Sequence, residues 1–323
     1  MTRRHHTNST PSANALTPFC RRILLAALPV LLCATVHAND GDVTEIHYDR
    51  LALVSGSAAT LRHLGLRHID RTWYQGQKLD SIRWLNDWDG ATYVNFDKAG
   101  HFMSGLFLAQ TLNDACTWVG FGPRSAAVIG TVTSWAALLE IEMRDAYFDQ
   151  WGFSIPDFVA NTAGASLPLV HALFPRTNAI HFKFSYFPSA LYRDRESRAL
   201  EDRPHIEHAI DDYEGMTVWM TIAIDEWLSG RASKLWPNYL RLGLGYGVVG
   251  LHGSNVKSRG RFKHYKDRLD AQPEFFLGLD YDTRHLPGRH PLWRYFVEQL
   301  NWIRFPAPAI RVYPDLRFYL IYM

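Results

Sequence analysis

Three short runs hold most of the residues in this chain that could do chemistry. The first reads Asp97-Lys98-Ala-Gly-His101-Phe102. The second, Glu140-Ile-Glu142-Met-Arg-Asp145, closes an apolar run. The third starts at Trp151-Gly152-Phe-Ser154-Ile-Pro-Asp157 and continues to Asn161 and Gly164. At helical pitch Asp97 and His101 share one face, as do Glu142 and Asp145, and as do Asp157, Asn161 and Gly164. If three helices carry these runs and pack together, the polar groups meet at one end of the bundle, with Lys98 as the cation among them. A histidine beside carboxylates can bind a hard or borderline divalent cation. The same groups can act as acid and base on a bound ester or phosphoester. The candidate catalytic set is therefore His101, Glu142, Asp145 and Asp157. Asp97, Lys98, Ser154, Asn161 and Gly164 support it.

A second reading is plainer and somewhat stronger. Polar groups at the ends of apolar helices often satisfy one another and fix helix register. Asp97 and Asp157 also suit the first turn of a helix, where backbone N–H groups are unpaired. No nucleophile motif and no paired-histidine metal motif is present. The identity of any metal or cofactor is left open. His171, His181, His205, His208 and His252 are scattered and read as ordinary surface or core residues.

The elements that must position these runs follow from periodicity. Apolar residues at helical spacing predict one or two helices between Leu51 and Asp70. The first central helix begins near Asp97 and runs to about Leu112. Gly120-Phe-Gly-Pro123 breaks the chain, and a second helix spans roughly Arg124 to Phe148. Ser154 as N-cap, Pro156 just inside and Asp157 in the first turn predict a third helix, ending before Pro175. Its interior Pro168 is a candidate kink. The uncharged runs approach the shortest length that crosses a bilayer. A membrane hairpin and a buried core hairpin both fit, and small residues such as Gly130 and Gly164 permit close packing in either.

Beyond Ala179 the pattern turns to strands: 181–187, 217–224, 239–251, 274–282 and 309–323. Gly243, Gly245 and Gly247 alternate with larger residues, which predicts tight curvature or close backbone approach. Residues 290–306 read as a short amphipathic helix before a final hairpin. Residues 193–214 form a charged, solvated stretch, and 262–268 a basic connection. Five or six strands are fewer than the eight of a closed membrane barrel, and the alternation looks imperfect. The expected fold is α+β: an apolar helical bundle of three central helices plus an N-terminal helix, packed with a curved antiparallel sheet or partial barrel.

Residues 1–38 read as a secretory signal peptide, with four arginines before an apolar run from Ile23 to Val36. The expected organisation is then signal peptide 1–38, helical domain 39–178 and β-rich region 179–323. The whole chain carries +2, and loss of the leader brings it to about −2. That balance excludes an electrostatic footprint for nucleic acid. Of three cysteines only Cys116 lies beyond the leader, so no disulfide framework is expected, and Cys116 reads as a small buried hydrophobe.

The motif series D-K-A-G-H-F, E-x-x-D and W-G-F-S-x-x-D-F-x-x-N-x-x-G resembles the YfiM-type family of predicted periplasmic proteins, a domain of unknown function. The likeness is strongest over 95–175. KFSYF, YGVVGL, FFLGLDYD and PAPAI resemble longer members of that family. A fainter similarity links the first and third motifs to VanZ-like membrane proteins. The resemblance implies that Asp97, Lys98, His101, Phe102, Glu142, Asp145, Gly152, Ser154, Asp157, Asn161 and Gly164 act as a unit. It implies an envelope address and no defined activity. Many small members of that family are predicted lipoproteins; here Leu32 precedes Cys33 where a small residue is expected.

Taken together, the sequence predicts an exported envelope protein that faces the periplasm and contacts the outer membrane. Its partners would be membrane lipid or an envelope protein. Its role would be structural or lipid-handling, with hydrolysis of an envelope lipid or ester as the alternative.

Overall fold

The computed structural model describes residues 45–74, 76–90, 93–193, 212–228, 236–251 and 271–323. The expected leader, most of the charged stretch after Arg193 and the basic connection 262–268 lie outside these residues, as do His205, His208 and His252. The fold is α+β.

Five helices longer than a single turn are described: α1 (Tyr48–Thr72), α2 (Phe96–Val119), α3 (Pro123–Asp145), α4 (Ile155–Leu173) and α5 (Pro291–Leu300). The first central helix outruns its expected end by two turns, to Gly120, whose φ of 112° stops it. The third starts where its cap signal placed it, and it continues through Pro168. Helices α2, α3 and α4 pack with their backbones in contact. A Cβ at Gly164 would lie 1.9 Å from the Phe102 carbonyl, and one at Gly130 2.5 Å from the Ala109 carbonyl. The small residues therefore set how closely the helices approach. Cys116 is buried on α2.

Helix α1 departs from expectation. It forms as one helix, but none of its residues is buried, and Leu53, Leu61 and Leu64 face outward. Ion pairs tie it to α3, Arg62 to Glu140 at 2.6 Å and Arg144 to Asp70 at 2.8 Å. Such exposed pairs contribute about 0–1 kcal/mol each. Among the described residues, one helix, α3, is long and apolar enough to cross a membrane.

The strands β1 (Trp84–Leu85) and β2 (Phe153–Ser154) form a two-residue parallel pair beside the bundle. The main sheet has six antiparallel strands in sequence order: β3 (Ile180–Tyr186), β4 (Met216–Ile222), β5 (Leu240–Val249), β6 (Gln272–Tyr281), β7 (Ala307–Tyr313) and β8 (Arg317–Tyr322). The stretch 309–323, expected as one strand, is divided at Pro314, which falls in the turn between β7 and β8. The sheet curls until its last strand meets β4, where Tyr322 Oη lies 3.0 Å from Thr217 Oγ1. The outer edge of β3 is covered by residues 302–304, through Phe184 N–H to the Trp302 carbonyl and Arg304 N–H to the Phe184 carbonyl. The glycines of β5 make room for a buried tryptophan: a Cβ at Gly245 would sit 2.9 Å from Trp219. Strand alternation is regular over most of β5 and β6, and register shifts interrupt the pairing of β7 with both of its neighbours. Along β5, Arg241, Gly243, Gly245 and Gly247 point inward, and Leu240, Leu242, Leu244 and Tyr246 point outward.

Helix α2 joins the two halves. Phe102 meets Phe182 of β3, and Phe96 packs with Val248, Tyr246 and Tyr213.

Candidate functional site

The polar groups do meet at one end of the bundle. That end comprises the N-termini of α2 and α4 and the C-terminus of α3. Residues 93–95 turn the chain into α2 with left-handed backbone, including Val94 at φ 55°. A β-branched residue there is strained by roughly 1–3 kcal/mol. The turn is held by Val94 packing in the Phe96 cluster and by a hydrogen bond from the Tyr246 hydroxyl to the Val94 carbonyl.

At the centre is Lys98, 6% exposed. Its Nζ donates to Asp97 Oδ2 at 2.7 Å and to Asp87 Oδ2 at 2.8 Å. Asp157 Oδ1 stands 3.0 Å away as a third ionic partner, off the line of a hydrogen bond. Three carboxylates from three segments thus enclose one ammonium. Asp87 is brought in by the β1–β2 pair, which sets Leu85 beside Ser154. Ser154 Oγ donates to Asp87 Oδ1 at 2.8 Å and accepts from the Asp157 N–H at 3.2 Å, capping α4 as expected.

Beside this cage lies His101, with a third of its side chain exposed. Its Nδ1 is 3.2 Å from Asn161 Oδ1 and 3.6 Å from Glu142 Oε1, and its Nε2 is 3.8 Å from Asp157 Oδ2. Asn161 Nδ2 donates to Glu142 Oε1 at 3.0 Å. Gly164 bears no polar group and serves by letting α2 and α4 touch. Asp145 lies one helical turn past Glu142 and beside Tyr74.

Excess negative charge and burial shape the acidity of these groups. Burial pushes the Asp97 carboxyl up to about 7, against the pull of Lys98. Glu142 rises to about 8, from burial first and then from Asp157 and Asp145. Asp145 rises to about 6, again from burial. Lys98 moves the other way from a typical buried lysine: its carboxylates outweigh desolvation and hold the ammonium above its ordinary value.

Residues 84–172 match a family described as predicted periplasmic lipoprotein (DUF2279). The match takes in every member of the cluster from Asp87 to Gly164 and stops before the six-stranded sheet. It supports an exported, periplasmic protein and a family of unknown function. No curated protein and no solved structure matches the chain.

All nine residues singled out in the sequence fall at this end of the bundle. Sequence reasoning missed Asp87 and Tyr74. Asp87 lies among Trp84, Trp88 and Asp89 with no helical spacing to mark it. Its role depends on a two-residue strand pair that no pattern announces. His101, Glu142 and Asp157 present atoms within 4.8 Å of one another, close enough to share a cation. Asp87, Asp97 and Asp157 do so as well, but Lys98 already occupies that set. The site can therefore hold charge tightly on one flank and offer a histidine to solvent on the other.

Proposed function

We propose that this is a structural or lipid-handling protein of the cell envelope, associated with the outer membrane, whose polar cluster locks three helices in register. One observation carries the reading: the Lys98 ammonium is held by Asp87, Asp97 and Asp157 from separate segments. A cation so enclosed is committed to structure, because removing it leaves buried carboxylates unpaired. The YfiM-type likeness of the same motifs supports the envelope address. The broad apolar exterior supports contact with lipid.

The hydrolase reading rests on a different observation, the half-open His101 flanked by Glu142 and Asp157. There His101 would be the base or a metal ligand, and the carboxylates its acid partners or co-ligands. Thermal unfolding of His101→Ala and Glu142→Ala separates the two. The structural reading expects both variants to melt lower, with no response to divalent ions. Full thermal stability in both would overturn it. A divalent-ion rise in melting temperature, absent in His101→Ala and reversed by chelator, favours the hydrolase.

A further inference from the structure

The six-stranded sheet is inside out. A soluble antiparallel sheet buries an apolar face and wets a polar one. Here the inward face carries Lys183, Arg241, Glu274, Asp280 and Arg311, all buried, around an aromatic cluster of Trp219, Phe276 and Tyr322. Lys183 and Asp280 are fully buried and pair at 2.6 Å, and Lys183 also donates to the Tyr281 carbonyl. Arg241 pairs with Asp282 at 2.6 Å, and Arg311 with Glu274. Arg304 lies 4.1 Å above the Trp219 ring and donates to the carbonyls of Tyr322, Leu279 and Ala307. Buried charges are rare unless paired in this way.

The outward face is the reverse. No outward position of β3 to β7 is charged. Helix α2 covers part of it at the β3–β5 side. The remainder is bare: Leu244, Phe275, Leu277, Ile310, Phe318 and Leu320 are 39–70% exposed. Charge confined to the inner face and an apolar outer face, alternating by residue, is the pattern of a strand that faces hydrocarbon. Strands β5 and β6 have ten residues each, about 33 Å of strand at ~3.3 Å per residue, against an apolar band of about 25 Å.

A second, independent feature lies at the Tyr281 end of this wall. Helix α5 shows an apolar stripe outward, Leu292, Tyr295 and Phe296, while Val297 is buried. Exposed Arg289 and His290 precede it. An amphipathic helix with aromatic residues outward and basic residues beside it suits a headgroup layer with anionic lipid. The wall is convex and wraps round the curl of the sheet. A protein partner covers a convex wall only where it touches, whereas acyl chains cover any curvature.

We propose that the convex wall of β5–β8 is seated against the acyl chains of a bilayer, with α5 at its headgroup level. This rests on the membrane association proposed above and deepens it from contact to insertion. The test uses mature protein with vesicles of phosphatidylethanolamine and phosphatidylglycerol. With Cys116→Ser as background, an environment-sensitive fluorophore is placed on single cysteines at Leu277, Phe318 and, as control, Arg67 on α1. Protein should float with the vesicles after alkaline carbonate washing. The probes at 277 and 318 should shift to the blue and be quenched by acyl-brominated lipid, and the probe at 67 should not. Leu277→Arg should lower partitioning at least ~30-fold while leaving the melting temperature in detergent unchanged. Protein stripped by carbonate, with probes 277 and 318 in water, overturns insertion but leaves peripheral association standing. Probes shielded without lipid, in a dimer, overturn insertion in favour of a second copy. Recovery wholly in the soluble periplasmic fraction of cells overturns both readings.

Discussion

The two halves of this molecule bury charge in opposite ways. At the end of the helical bundle, acids outnumber bases. Asp87, Asp97, Asp157, Glu142 and Asp145 gather round one lysine and one half-open histidine. Inside the sheet the charges are matched: Lys183 with Asp280, fully closed from solvent, and Arg241 with Asp282, which also takes the partly exposed Arg284. A matched, sealed pair can only hold a structure together. An acid-rich group with one open flank retains unused capacity: carboxyls raised towards neutrality and a ring nitrogen within reach of solvent. This contrast is why the bundle end, and not the more deeply buried sheet interior, is the candidate site.

The largest expected effect comes from removing the cation at each centre. Lys98→Ala and Lys183→Ala should each lose about 3–5 kcal/mol in denaturant unfolding, because both leave buried carboxylates unpaired. The two should part when the partner is removed as well. Lys183→Met with Asp280→Leu deletes a whole pair and should restore most of the stability. Lys98→Met with Asp97→Leu still leaves Asp87 and Asp157 facing each other and should not. Equal rescue in both halves would break the comparison.

Next in size are the close approaches that hold each half. Gly164→Ala drives a methyl into the Phe102 carbonyl, and Gly245→Ala drives one against Trp219. Each should cost about 1–3 kcal/mol. Gly164→Ala should also disturb the His101 environment, visible in the chemical shifts of its ring, and Gly245→Ala should not.

A third test uses pH. Asp97, Glu142 and Asp145 hold a proton more readily in the folded protein than in the unfolded chain. Their contribution to stability is therefore full below the unfolded carboxylate range. It is lost as pH rises from about 4 to about 8. Melting temperature should fall between pH 5 and pH 8, and Glu142→Gln should flatten the upper part of that slope. A melting temperature that rises over this interval in the wild type would contradict the acid-rich description. The smallest effect is the helix cap: Ser154→Ala should cost about 1 kcal/mol and release the Asp87 carboxylate from its hydroxyl partner.

Much of this was legible in the chain. Helical spacing marked His101, Glu142, Asp157 and Asn161, because residues three or four apart must share a helix face whatever the tertiary fold. The cap at Ser154 was legible for the same local reason. The strands were placed within a few residues by their composition and glycine alternation. Their polarity was not read, since Arg241 and Asp280 look like surface residues until the curl of the sheet turns them inward. Helix α1 shows the converse: its apolar residues keep helical spacing, but Leu53, Leu61 and Leu64 stand exposed and none of its residues is fully buried.

By itself, then, the sequence determined the elements, the cap of α4 and which polar side chains share a helix face, for these are set by dihedral preference and by 3.6- and 2-residue periods. Only the tertiary structure decided that Lys98 would be enclosed and His101 left half open. It alone drew Asp87 in through two residues of parallel pairing, and made the sheet charged within and apolar without. Those outcomes depend on which surfaces meet across long separations in the chain, and no local period encodes that.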